Sequence, residues 1–151
     1  MLGASVPQGT EMKTSAWLWI AAVLALLLAA GHTFGHPWTP VQGLGPEAVV
    51  TAMREIHFQV EGMNRSYLDF YQGFGWALSA LLFMVAALML RQAALATMHR
   101  TVDRVLIAIE ALGFLLNGVA AAVFIAPMPA AFSAAVTAAL VGALLSGRSR
   151  A

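Results

Sequence analysis

"FYQGFGWALSALLFMVAALML", residues 70 to 90, contains no charged side chain. A membrane-spanning helix needs about 20 mostly apolar residues, and this run supplies them. Working outward, three further segments qualify. The first is "AWLWIAAVLALLLAAGHTF", residues 16 to 34, and the others cover about 102–125 and 130–146. "APMP" separates the last two, too short for anything but an antiparallel helical hairpin. Pro127 and Pro129 mark its turn, because proline cannot continue a helix interior.

Composition agrees with a bilayer as solvent. Of 151 residues, 60% are hydrophobic and 10% charged, against roughly 25% charged in ordinary soluble domains. A single soluble domain of this size has too little interior to hide so much apolar area. The net charge of +1 comes with no basic run, which argues against a nucleic-acid partner. With no cysteine, disulfides and thiolate metal sites are excluded. The expected fold is therefore all-α, a single-domain integral membrane four-helix bundle over residues 1–151.

Charge asymmetry orients it. Arg91, Arg100 and Arg104 flank the loop between spans two and three, and Arg148 and Arg150 follow span four. Loop one carries Arg54 and Arg65 but also Glu47, Glu55, Glu61 and Asp69. The positive-inside rule then places both termini in the cytoplasm and loop one outside, in the cell inner (plasma) membrane. Lys13, the apolar stretch and "AAG" before His32 also match the parts of a cleavable signal, which would leave three spans. The apolar run is longer than a typical signal core, so four spans are expected.

Loop one, about 35 residues, is too long to be structureless in a compact domain. Residues 46 to 64 read as an amphipathic helix, with Pro46 at the first helical position and Glu47 in the first turn. Val49, Met53, Ile56, Val60 and Met63 recur at four- and three-residue steps, making one apolar stripe. Such a helix can cap the bundle or lie on the membrane face.

Several constellations carry possible chemistry. His32 and His36, like His57 and Glu61, are four apart, the helical spacing that lets two side chains share a metal. Convergence of these four would make a zinc, copper or iron(II) site. Against this, Pro37 biases His36 away from helical geometry. Ser66 with Asp69 matches a capping box before span two. Tyr67, Phe70, Tyr71, Phe74 and Trp76 fall where an interfacial aromatic belt belongs.

The strongest functional pointer is Glu110, about eight residues or roughly 12 Å inside span three. Asp103, Glu110 and Asn117 repeat every seven residues as one polar stripe. An intramembrane acid costs several kcal/mol by most estimates and should face the interior with a partner. The bland alternative is an interhelical hydrogen bond, for example to Ser79, Ser133 or Thr137. In span four, Ala134, Ala138, Gly142 and Ser146 form a small-residue stripe beside a second one of Ala131, Ala135, Ala139 and Ala143. Small residues allow close helix approach, inside the bundle or at a homo-oligomer or partner interface.

"MREIHF", the G-x-x-R-S-Y at Gly62 to Tyr67 and "DFYQGFGW" resemble small bacterial four-span membrane proteins, chiefly over residues 53 to 76. The resemblance implies the span layout and brings no catalytic or binding roles with it. Size and span count are also similar to those of DoxX-like proteins and membrane glutathione-transferase relatives.

The function expected from these residues is binding of a lipophilic small molecule such as a lipid, isoprenoid or quinone. Glu110 and Asn117 would form the floor of the site, and His57, Glu61, Arg65, Asp69 and Tyr71 its rim. Polar groups converging in an apolar cavity are the usual pattern of such sites. The alternatives are a non-catalytic subunit or assembly factor packing through span four, and a metal site at His32, His36, His57 and Glu61. No motif specifies a cofactor or a reaction.

Overall fold

The computed structural model describes residues 13–39, 46–98 and 100–146. Among these residues, five helices and one two-stranded sheet follow in the order α1 (Thr14–Phe34), α2 (Pro46–Glu55), β1 (His57–Val60), β2 (Met63–Ser66), α3 (Tyr67–Thr97), α4 (Arg104–Phe124) and α5 (Pro127–Ser146). Among the described residues, α1, α3, α4 and α5 are the helices long and apolar enough to cross a membrane. The chain thus has the layout of a multi-pass membrane protein. Arg148 and Arg150, two of the charges behind the expected orientation, lie outside the described residues.

The helix boundaries have local causes. Asp103 caps α4, its Oδ1 accepting from the Val105 and Leu106 amides at 2.8 and 3.3 Å. This satisfies two of the donors that a helix start leaves orphaned. Pro127 opens α5 at the first helical position, where the missing N–H costs nothing. Helix α3 is 31 residues long, ~46 Å at 1.5 Å per residue, so it exceeds the hydrocarbon thickness of about 30 Å. The expected span at 70–90 is only its most apolar part.

Contacts divide the chain into two compact units, Met1–Ala25 with Ala86–Ala151, and Leu26–Val85. In the first, four helical segments share a core of Leu18, Ala21, Met89, Ile107, Phe114, Val136 and Leu140, all buried. Named contacts tie each neighbouring pair. Thr14 shares a hydrogen bond with Ser146, Trp19 Nε1 donates to Thr97 Oγ1, and Gln92 joins Glu110. Helices α4 and α5 form the expected antiparallel hairpin, with Asn117 Nδ2 donating to Ser133 Oγ at 2.9 Å. Gly118 lies so close to α5 that a Cβ there would stand 3.2 Å from the Ser133 Cβ.

The second unit holds the end of α1, the whole of loop one and the first half of α3. Here the structure corrects the expected loop helix. Helix α2 stops at Glu55, and residues 57–66 form an antiparallel hairpin instead. Val60 pairs with Met63, leaving Glu61 and Gly62 as a two-residue turn with φ of 49° and 81°. Positive φ at both central positions is the type I′ geometry that matches strand twist, and it cannot belong to a right-handed helix. Gly62, a poor helix former, ends the helical option and supplies the turn.

Candidate functional site

The hairpin register decides which side chains meet the start of α3. Phe58 pairs with Arg65 and His57 with Ser66, so Phe58 and Arg65 project from one face and His57 from the other. On its face Phe58 packs against Tyr67 and Phe70, with ring centroids 4.9 and 5.2 Å away. That contact seats the ribbon on the first turn of α3. A slip of one residue would turn Arg65 to the opposite face.

Strand β2 runs directly into α3 through Ser66. The Ser66 amide donates to Asp69 Oδ2 at 2.8 Å, and the Asp69 amide donates back to Ser66 Oγ at 3.2 Å. This is the expected capping box, closed in both directions. Arg65 makes one hydrogen bond among the described residues, from Nη2 to the Met63 sulfur at 3.3 Å, and its charge also acts on the Asp69 carboxylate.

Beside these residues lies an open groove of about 490 Å³, lined by Arg65, Asp69, Phe70, Gln72, Gly73, Phe74 and Ala77. Phe70 and Phe74 stand edge to face, 6.1 Å apart, as its aromatic wall. Gly73 and Ala77, one turn apart, leave the groove floor without bulk. Arg65, Asp69 and Gln72 supply its polar groups. Two expected rim residues, Arg65 and Asp69, therefore share a groove, while His57, Glu61 and Tyr71 are exposed and outside its lining.

A second cluster in this unit joins the segment after α1 to α3. The Trp38 ring stacks on Trp76 at 3.9 Å with the planes 2° apart, and His36 meets Trp38 edge-on at 5.7 Å. Gly75 makes this possible, since a Cβ there would fall 2.9 Å from the Pro37 carbonyl carbon and oxygen. Trp76, expected from the sequence only as a belt residue, is thus a packing partner of Trp38.

The four residues of the metal alternative do not share a helical face. His32 ends up in the last turn of α1, with its Nε2 buried and without a hydrogen-bond partner among the described residues. His36 lies beyond that helix at φ 53°, outside right-handed helical geometry. His57 is on a strand and Glu61 in the turn, so their spacing of four has lost its helical meaning. Among the described residues no group of three or more His, Asp or Glu side chains could hold a metal ion.

In the first unit the polar stripe of α4 resolves into three separate partnerships. Asp103 is the cap, Glu110 meets α3 and Asn117 meets α5. Gln92 Nε2 donates to Glu110 Oε1 at 2.7 Å, with both side chains buried, 6% and 8% exposed. Ser133, weighed as a partner for Glu110, instead takes Asn117. Gln92 was not singled out from the sequence. The available signal was depth: Gln92 is five residues before the end of α3, and Glu110 six after the start of α4. In an antiparallel pair those positions face each other.

Of the span-four stripes, Ala139 and Ala143 are buried, and Gly142 receives the Trp17 ring. Ala131, Ala134, Ala135 and Ala138 are exposed. Compared with known protein families, curated proteins and solved structures, the chain finds no match.

Proposed function

We propose that this multi-pass membrane protein binds an amphiphilic small molecule of lipid, isoprenoid or quinone type. In this reading both termini are cytoplasmic, and the hairpin and groove lie at the outer face of the inner membrane. The observation that carries it is the groove beside the first turns of α3, polar at Arg65, Asp69 and Gln72 and apolar at Phe70, Phe74 and Ala77. A cavity with apolar walls and a few convergent polar groups is the form small-molecule sites take. Among the described residues the Arg65 guanidinium hydrogen-bonds only the Met63 sulfur, so its remaining donors favour ligands with an anionic or carbonyl-bearing head. The aromatic wall would hold the tail. Glu110 and Asn117 do not line this groove and take no part in this version of the site.

Native mass spectrometry of protein purified in mild detergent tests the proposal. A bound amphiphile should be retained by the wild type and depleted in Arg65→Ala and Phe74→Ala. Glu110→Gln should leave retention unchanged. Equal retention in the wild type and both groove variants would reject the groove as the site.

A further inference from the structure

Within the buried contact of α3 and α4, two oxygen acceptors have no donor. Gln92 Nε2 donates to Glu110 Oε1, yet Glu110 Oε2 and Gln92 Oε1 are both buried and without a hydrogen-bond partner. Buried polar atoms are nearly always paired, so two orphans on two side chains already in contact call for an explanation.

Among the described residues, the helices around this pair bring no positive charge to it. On α1, residues 14–25 carry no titratable side chain, and α5 carries none at all. On α3, Arg91 is next to Gln92 in sequence but exposed. On α4 itself, Asp103 is committed to capping, and Arg104 reaches the Leu144 carbonyl. Among the described residues, a carboxylate at Glu110 would thus be a buried charge with one neutral hydrogen bond and no counter-ion, an arrangement that proteins avoid.

We propose that Glu110 and Gln92 form a proton-binding site, with a proton on Glu110 Oε2 donated to Gln92 Oε1. One proton removes the buried charge and supplies the missing donor for both oxygens. Acid and amide then form a closed pair, each group donating once and accepting once. A metal cation would need several more oxygen ligands than these two. A proton needs none. Release of the proton leaves two facing acceptors and an unpaired charge, so occupancy of the site governs the α3–α4 contact. This inference is independent of the amphiphile groove.

Infrared spectroscopy of the purified protein at neutral pH, in light and heavy water, reads the site directly. The expected result is a carboxylic-acid C=O stretching band that shifts on deuteration and is lost in Glu110→Gln. Gln92→Leu keeps the acid but removes its partner, so the band should persist and move to higher frequency. A merely structural role for Gln92 would not move that frequency. Absence of the band in wild-type protein, or its persistence unchanged in Glu110→Gln, would overturn the proposal. So would thermal stabilisation by sodium or potassium in the wild type but not in Glu110→Gln, which would identify a cation as the occupant.

Discussion

Two glycines show how little room single positions leave. Gly75 and the Pro37–Trp38 backbone approach so closely that a methyl group would overlap the Pro37 carbonyl. Gly75→Ala should destabilise the protein by about 1–3 kcal/mol, the usual range for overpacking. Because the same approach positions Trp38 on Trp76, the variant should also lose the near-ultraviolet circular dichroism of that stacked pair. An unchanged spectrum and melting temperature would show that the segment yields freely. Gly142 is a similar case, with a Cβ there meeting the Trp17 ring at 2.7 Å. The small-residue pattern of span four identified close approach in general, but not Trp17 as the group approaching. At Ser66 the side chain and amide both serve the α3 start. Ser66→Ala should therefore cost about 1 kcal/mol of stability, the typical loss for a helix cap, measured as a lowered denaturation midpoint.

At the level of elements, the hairpin is where sequence reading and structure part. The apolar steps from Val49 to Met63 fit a helix, and the first part of that segment is one. The rest was misread because a spacing of four is also an even spacing on a strand, so His57 and Glu61 fit either geometry. Glu61-Gly62 occupies the place where Asn-Gly is usual in type I′ turns, and Glu tolerates positive φ less well than Asn. Glu61→Asn should stabilise the ribbon and slow amide exchange across residues 57–66. Gly62→Val should accelerate that exchange, since a β-branched residue is strained in the left-handed region. Capping of α3 was legible beforehand, because it depends on residues adjacent in the chain. Asp103, by contrast, was read as part of a polar stripe and not as the α4 cap, and Pro127 and Pro129, expected in the turn, lie in the first turn of α5.

For the whole molecule, the four long apolar helices imply a topology that can be measured. The chain has no cysteine, so single cysteines can be introduced without background. If both termini are cytoplasmic, Asn64→Cys should react in intact cells with a membrane-impermeant maleimide. Thr101→Cys, between α3 and α4, should react only after the membrane is opened. The reverse pattern would invert the orientation. The first helix also contributes Leu18, Ala21, Ala22 and Ala25 to the buried core. Removal of residues before His32 would strip those side chains from the helical core, and the truncated chain should melt earlier in detergent.

The four helices long and apolar enough to cross a membrane were readable from composition and run length, because such segments stand out as long uninterrupted apolar runs. The Ser66–Asp69 cap was readable because its hydrogen bonds close within a few residues. The pairing of Glu110 with Gln92, the fit of Trp17 to Gly142 and the placing of Arg65 beside Phe70 were decided only in three dimensions. Each depends on the depth and rotation of one element against another. Hydrophobic periodicity constrains those quantities loosely, and close packing sets them.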